Sequence, residues 1–166
     1  MAEKNLDNLF HDTLRDIYYA ERKIIASLPK MIKAASSPEL KGAFEKHLKQ
    51  TEVQVERLGT VFAIINQKPV AKACHAIDGI LEEASEIVSD YKGSPALDAA
   101  MIASAQTVEH YEITRYGTLK RWAQNLGLSD AVDLLNATLK EESQTDTDLS
   151  ALADQVANLK ARTTVE

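Results

Sequence analysis

The sequence predicts an all-α protein, and three observations support this fold class. Turn-forming residues are scarce, with six glycines and four prolines among 166 residues. Apolar residues recur at intervals of three and four over long stretches, which is typical of amphipathic helices. Apolar residues make up 45% of the chain and charged residues 27%, the balance of a folded protein rather than of a disordered one.

The first half of the chain predicts two helices joined by a tight turn. Residues 4–35 carry the apolar rhythm of the first helix at Leu6, Leu9, Phe10, Thr13, Ile17, Ala20, Ile24, Leu28 and Met31. Ser37 and Pro38 are typical of a helix start, because serine caps the first turn and proline fits the first helical position. The second helix then runs to about residue 65 and ends before Pro69.

The second half predicts a short helix followed by another pair of long helices. The short helix covers about residues 76–90, and the third long helix runs from Pro95 to about residue 125. Gly127 is typical of a helix C-cap, and Ser129 and Asp130 are typical N-caps. The fourth long helix then continues to about residue 160.

Two tight helix hairpins joined by a long connection predict a ferritin-like four-helix bundle with one long crossover, which carries the short extra helix. An up-down-up-down bundle would need three short loops instead. We expect residues 1–166 to form a single helical domain, since the length fits one domain. The hairpins also resemble each other weakly when Thr51 is set over Glu142 and Gln54 over Thr145, which predicts that they place residues at equivalent heights.

The net charge of −6 and the residue pattern exclude several classes of protein. Direct nucleic-acid binding is disfavoured, because such proteins neutralise phosphates with an excess of Lys and Arg. No apolar run approaches the ~20 residues that span a bilayer, so we expect no membrane segment. The start of the chain lacks the pattern of a secretory signal, and the single cysteine, Cys74, favours a reducing compartment. We therefore expect a cytoplasmic protein.

Inward-facing carboxylates carry the functional signal. The helical phase of the neighbouring apolar residues turns four glutamates toward the bundle interior: Glu21, Glu109, Glu112 and Glu142. Three of them lie about fifteen residues from a hairpin turn, and Glu109 lies one helical turn from Glu112. In antiparallel hairpins they share one height, where Thr51 or Gln54 completes the ring.

Several ionised carboxylates buried together need a counter-charge, and two metal ions would supply it. Hard oxygen ligands suit iron or manganese. The candidate metal ligands are Glu21, Gln54, Glu109, Glu112, Glu142 and Asp146. The sequence leaves the roles of the nearby histidines and of the single cysteine open. His47 and His110 are either ligands or hydrogen-bonded residues, and Cys74-His75 lacks the partner pair of a metal site.

A resemblance to a known family rests on particular strings of residues. They are Asp16-Ile17-Tyr18-Tyr19-Ala20-Glu21, His47-Leu48, Val108-Glu109-His110-Tyr111-Glu112-Ile113, Tyr116-Gly117-Thr118-Leu119 and Glu141-Glu142. These strings resemble the YciF/YciE family of bacterial stress-response proteins, over nearly the whole chain. The resemblance implies a ferritin-like bundle, usually dimeric, linked to stress responses. The Glu-x-x-Glu pair of Glu109 and Glu112 is also similar to the third helix of rubrerythrin.

The chain departs from working ferritins and rubrerythrins in one respect, because it contains no Glu-x-x-His. Thr51-x-x-Gln54 and Glu142-x-x-Thr145 stand at the corresponding positions, which predicts a carboxylate-rich, nitrogen-poor site. Two functions follow. One is a non-haem di-iron (or di-manganese) protein that oxidises Fe(II) or reduces peroxide, with no catalytic side chain assigned. The other is a non-catalytic homodimer with a degenerate metal site, whose function lies in its dimer surface.

Overall fold

The structure, a computed structural model, describes residues 4–162, and helices are the only regular secondary structure in that range. The helices are α1 (Leu6–Ala34), α2 (Pro38–Ile64), α3 (His75–Asp90), α4 (Leu97–Asn125), α5 (Ser129–Leu152) and α6 (Asn158–Ala161). The predicted all-α fold class is confirmed, and the five main helices begin and end within about two residues of the predicted positions, except at the end of α5. The predicted domain of residues 1–166 extends at both ends beyond the described residues.

The helix ends follow local sequence rules. Asn5 and Asn8 cap α1 reciprocally, and the Ser37 side chain accepts from the backbone N–H of Leu40 at the start of α2. After α4, Gly127 adopts a φ of 71°, the left-handed conformation that glycine tolerates. The backbone N–H of Leu128 then donates to the carbonyl of Ala123 over 2.9 Å, which closes the turn into α5.

The last helix departs from the predicted uninterrupted run to residue 160. Regular α geometry ends at Leu152, and residues Ala153–Ala157 form a π-helical segment before α6. A π segment widens the turn by one residue and rotates the side chains that follow it. The helical phase inferred for residues 129–152 therefore does not extend to the end of the chain.

The four long helices form two antiparallel hairpins, α1–α2 and α4–α5. Helix α2 packs on α5, α1 packs on α4, and α3 lies in the crossover against α4 and α1. This is the ferritin-like arrangement predicted from the connections. No helix within residues 4–162 has both the length and the hydropathy needed to cross a membrane.

Three polar contacts fix the crossover and the hairpin ends around the bundle centre. The Tyr19 hydroxyl donates to Asp78 of α3 over 3.0 Å, and Cys74 Sγ lies 2.9 Å from the Tyr111 hydroxyl. At the start of α4, the buried Asp98 accepts the backbone N–H groups of Ser36 and Ser37 over 2.7 and 2.8 Å. Asp98 thus joins the second hairpin to the turn of the first.

Candidate metal centre

Five ionisable side chains from all four long helices meet in the middle of the bundle. Glu21, Glu112 and Glu142 are 0% exposed, Glu109 is 1% exposed and His47 is 5% exposed. They are on the buried faces of α1, α2, α4 and α5, and buried apolar residues precede and follow them along each helix. The four predicted inward glutamates therefore do face the core.

Four of these side chains form a compact group. His47, Glu109, Glu112 and Glu142 each offer one ligand atom, and those atoms all lie within 4.8 Å of one another. His47 Nε2 lies 3.5 Å from Glu109 Oε1. Three helices thus supply three carboxylates and one imidazole to a volume that fits a metal ion or a pair of ions.

Glu21 adjoins this group from α1. Its carboxyl accepts a hydrogen bond from the hydroxyl of Tyr116, which is 1% exposed. Tyr116 therefore fixes the orientation of one Glu21 oxygen, while Glu21 Oε2 has no hydrogen-bond partner.

Many oxygens of the cluster lack a donor, and no Lys or Arg ion-pairs with it among the described residues. Both oxygens of Glu112 and of Glu142, and Oε2 of Glu109, have no hydrogen-bond partner. Buried ionised carboxylates without a counter-charge are very unfavourable, so the metal-free cluster must bind protons.

The pKa values of the buried carboxyls are raised, because several negative charges cannot be buried together without a counter-charge. Burial, followed by the charge of Glu142, raises the pKa of Glu21 to about 8. Burial and the neighbouring Glu142 raise the pKa of Glu109 to about 11, and burial with the charge of Glu21 raises the pKa of Glu112 well above its usual value. In the metal-free protein the carboxyls of Glu109 and Glu112 therefore keep their protons at pH 7.

His47 behaves in the opposite sense. Burial lowers the pKa of its imidazole to about 4, so the ring is neutral at pH 7 and is available as a metal ligand. Its Nδ1 has no hydrogen-bond partner. The neutral ring provides no counter-charge for the carboxylates.

A hydrogen-bonded pair supports the α2–α5 side of the cluster. Arg57 binds both oxygens of Glu141 over 2.6 and 2.8 Å, in the bidentate geometry of a strong ion pair. Gln54 Nε2 donates to Glu141 over 3.0 Å, and burial raises the pKa of Glu142 although the nearby amide of Gln54 opposes this shift. The predicted ligand Gln54 thus lies beside the cluster, with only its buried Oε1 free to bind a metal.

Asp146, also a predicted ligand, does not join the group of four. It is half-buried one turn beyond Glu142, where Oδ1 accepts from Gln106 over 3.0 Å. Its Oδ2 lies 3.2 Å from His110 Nε2. These two partners occupy Asp146 at the surface between α4 and α5.

Thr51 and Thr145 stand at two of the positions that correspond to Glu-x-x-His, and neither hydroxyl donates a hydrogen bond to the centre. The hydroxyls of Thr51 and Thr145 donate to the carbonyls of His47 and Glu141, one helical turn earlier. An imidazole nevertheless reaches the cluster from α2, because His47 lies one turn before Thr51. The site therefore contains one nitrogen ligand beside its carboxylates.

The sequence pattern alone left the role of His47 open and assigned no site role to Arg57 or Glu141. His47 is in phase with Phe44, Thr51 and Leu58 on α2, which signals an inward position. Its distance from Glu109 depends on how α2 and α4 pack. Arg57 and Glu141 resemble an ordinary charged surface in the sequence, and only the packing of α2 on α5 pairs them.

The donor set fits hard or borderline metal ions. Carboxylate oxygens with one imidazole are typical ligands of iron and manganese, and several of the carboxylate oxygens here lack a hydrogen-bond donor. In ferritin-like di-metal proteins, ligands likewise project inward from the bundle helices.

Comparisons with known proteins agree with the fold and with the predicted resemblance. A family model described as a domain of unknown function, DUF892, matches residues 5–162. Protein YciF of Escherichia coli (strain K12) is 41% identical over 162 residues, which are 97% of this chain and 98% of that protein. The crystal structure of the E. coli stress protein YciF has a TM-score of 0.89 at 40% identity and covers 94% of this chain and 99% of its own. YcfI of Rhodopseudomonas palustris, described as a candidate structural protein, has a TM-score of 0.86 at 46% identity, with 89% and 94% of the chains covered.

Proposed function

The chain belongs to the DUF892 family, and we propose that it is a stress-response protein that holds two iron ions, or two manganese ions, at the centre of its bundle. The observation that carries this proposal is the group of His47, Glu109, Glu112 and Glu142, whose ligand atoms lie within 4.8 Å of one another. Glu21 adjoins the group and completes a ring of ligands from all four long helices.

Electrostatics supports metal as the natural counter-charge. Without metal, Glu109 and Glu112 keep protons that a carboxylate at pH 7 ordinarily loses. Metal binding releases those protons, because ligands bind in their deprotonated form. A cluster that only stabilised the fold would not need buried carboxylates, since apolar residues of similar volume stabilise a core as well or better.

A bound pair of iron ions would supply the redox chemistry that oxidises Fe(II) or reduces a peroxide. The residues of the chain would then hold the ligands in place. Tyr116 orients Glu21, and the Arg57–Glu141 pair holds Gln54 beside Glu142. The apolar layers around the cluster lower the local dielectric constant and strengthen these contacts.

Metal analysis of protein purified without chelator tests the proposal. We expect about two iron ions per chain after anaerobic loading with Fe(II). Glu142→Gln should lower that content, whereas Glu45→Gln, which changes an exposed glutamate on α2, should leave it unchanged. Absence of metal in the wild-type protein after loading would contradict the proposal.

A structural role is the second candidate function. It is favoured by the missing Glu-x-x-His and by the description of the R. palustris relative as a candidate structural protein. Under this proposal the metal site is degenerate and the surface of a homodimer carries the function. A chain that binds no metal, yet sediments at twice its mass of 18.3 kDa, would favour this candidate.

The remaining proposals concern assembly and compartment. We propose a homodimer, because one closed two-fold pair needs a single interface whereas a cage needs several. We also propose a reducing cytoplasmic location without direct nucleic-acid partners, based on the free Cys74 and the net charge of −6. Sedimentation far above the mass of a dimer would contradict the first of these.

A further inference from the structure

A large cleft reaches the candidate metal centre from the surface. Its volume is about 540 Å³, and helices α1 to α5 all contribute to its wall. At ~30 Å³ per molecule, that volume equals roughly eighteen waters, whereas voids in a packed core rarely exceed one. Ligand pockets commonly measure about 300–1,000 Å³, so the cleft has the size of a binding site rather than of a packing defect.

The inner end of the cleft is polar and the wall is apolar. His47 and Glu109 line it, each more than nine-tenths buried, and His47 Nδ1 and Glu109 Oε2 have no hydrogen-bond partner. Most of the wall is apolar, including Ile24, Leu28, Phe44, Leu81, Val88 and Val108. An apolar molecule would therefore bury its body along the wall, and a single polar end would reach the two unpartnered groups.

The charges at the opening cancel. Lys23 and Lys30 line it on α1, and Asp78 and Glu82 line it on α3. Lys23 Nζ lies 3.4 Å from Asp78 Oδ1, so that pair is internally neutralised. A charged ligand would gain no net attraction at the opening and would lose hydration inside the apolar cleft.

From this arrangement we infer that the cleft binds an uncharged, mainly apolar organic molecule with one oxygen-bearing end directed at His47 and Glu109. Its use as a substrate site rests on the proposed di-metal function. Binding itself depends only on the cleft, so the two ideas fail separately.

Displacement of a fluorescent probe tests the inference. The probe is 1-aminoanthracene, which is uncharged and apolar, and the competitors are 1-octanol and octanoate, which share one chain length. We expect 1-octanol to displace the probe from the metal-free protein, in which His47 and Glu109 are not metal ligands. We expect octanoate to be weaker by about tenfold or more, because its charge must be desolvated beside buried carboxyls. Equal displacement by the two competitors would overturn the inference.

Matched variants locate the binding. Ala105→Leu on α4 and Ala84→Leu on α3 each fill part of the cleft, and each should weaken 1-octanol binding by about tenfold. Ala103→Leu, on an exposed face of α4, should bind like the wild type. Two cleft variants are used so that one remains if the other does not fold. Unchanged binding in a folded cleft variant would overturn the inference.

Parallel metal analysis separates the two proposals. Displacement by 1-octanol that depends on Ala105, in a protein that binds no metal, would support the cleft and contradict the di-metal function. A protein that binds metal but neither the probe nor 1-octanol would overturn the cleft inference alone.

Discussion

The two helical hairpins enclose one polar centre but bring different chemistry to it. The α4–α5 hairpin supplies three buried carboxyls, Glu109, Glu112 and Glu142. The α1–α2 hairpin supplies one carboxyl, Glu21, and the neutral imidazole of His47. The centre is therefore asymmetric, with most of its potential negative charge on one hairpin.

The difference is clearest at the positions that a comparison of the hairpin sequences sets side by side. Thr51 stands over Glu142, and both are fully buried. The Thr51 hydroxyl bonds to a carbonyl of its own helix, whereas both oxygens of Glu142 lack a hydrogen-bond partner. A buried threonine is thus satisfied locally, but a buried glutamate needs a partner from outside its helix. If the proposed metal centre forms, the comparison predicts that the α4–α5 hairpin supplies most of its ligand charge.

Glu112→Gln is the strongest test of this division. If metal is normally present at a thousand times its dissociation constant, the variant should lose ~4 kcal/mol of metal-dependent stabilisation. Thr51→Val, which alters a fully buried position on the other hairpin, should keep that stabilisation. Melting curves of both variants and the wild type, with and without Fe(II), measure the difference.

In the metal-free protein, Glu112→Gln should not lower the stability. There Glu112→Gln removes a carboxyl crowded by Glu21 and Glu142, so stability should hold or rise. A wild type that Fe(II) does not stabilise, together with a variant no less stable than it, would refute the division.

The pH dependence of stability should separate the buried carboxyls from the buried imidazole. The raised pKa values of Glu21 and Glu109, about 8 and 11, give stability that is present below pH 4.5 and is lost as pH rises through those values. The lowered pKa of His47, about 4, gives stability that is present above pH 6.5 and is lost as pH falls toward 4.

Above pH 6.5 the imidazole of His47 is neutral in the folded and the unfolded chain, so only the carboxyls make stability depend on pH. The metal-free protein should then lose about 1.4 kcal/mol per pH unit for each carboxyl that stays protonated when folded. Metal binding removes those protons, so the stabilisation by Fe(II) should grow between pH 6.5 and 8. Denaturation midpoints across that range measure both effects, and a metal-free protein that gains stability over the range would contradict the assignment.

Asp98→Ala tests the joint between the hairpins. The carboxylate of Asp98 at the start of α4 accepts two backbone N–H groups from the turn of the first hairpin, and these bonds lower its pKa although burial opposes them. Loss of these charge-assisted bonds should cost about 2 kcal/mol in the free energy of unfolding. Asp90→Ala, at the exposed end of α3, is the control and should show no comparable loss in urea denaturation.

Arg57→Met should give the smallest effect, because its partner Glu141 is only half-buried. We expect a loss of about 1 kcal/mol in unfolding free energy. Lys46→Met is the matched control, because Lys46 also pairs across α2 and α5, with Asp148 at 3.1 Å, but at a more exposed site. Equal destabilisation of the two variants in urea titrations would show that burial does not distinguish the pairs.

The sequence by itself determined the helices and the inward faces. Helical periodicity is a local property, so Glu21, Glu109, Glu112 and Glu142 were predicted to face the core from their apolar neighbours, and they do. The long middle connection also predicted the crossover topology, because loop length restricts which helices can be neighbours. The same rules predicted the glycine cap after α4, where a positive φ is needed.

Only the tertiary structure decided which of these groups meet. Asp146 and Glu142 lie one turn apart on α5, yet Asp146 binds Gln106 and His110 while Glu142 joins the central group. His47 enters that group because the packing of α2 beside α4 places its ring near Glu109. Helical phase fixes a direction from the helix axis, but distances of a few ångströms between helices depend on their rotation, their spacing and their side-chain rotamers. Those quantities arise from the packing of the whole bundle, and no single helix encodes them.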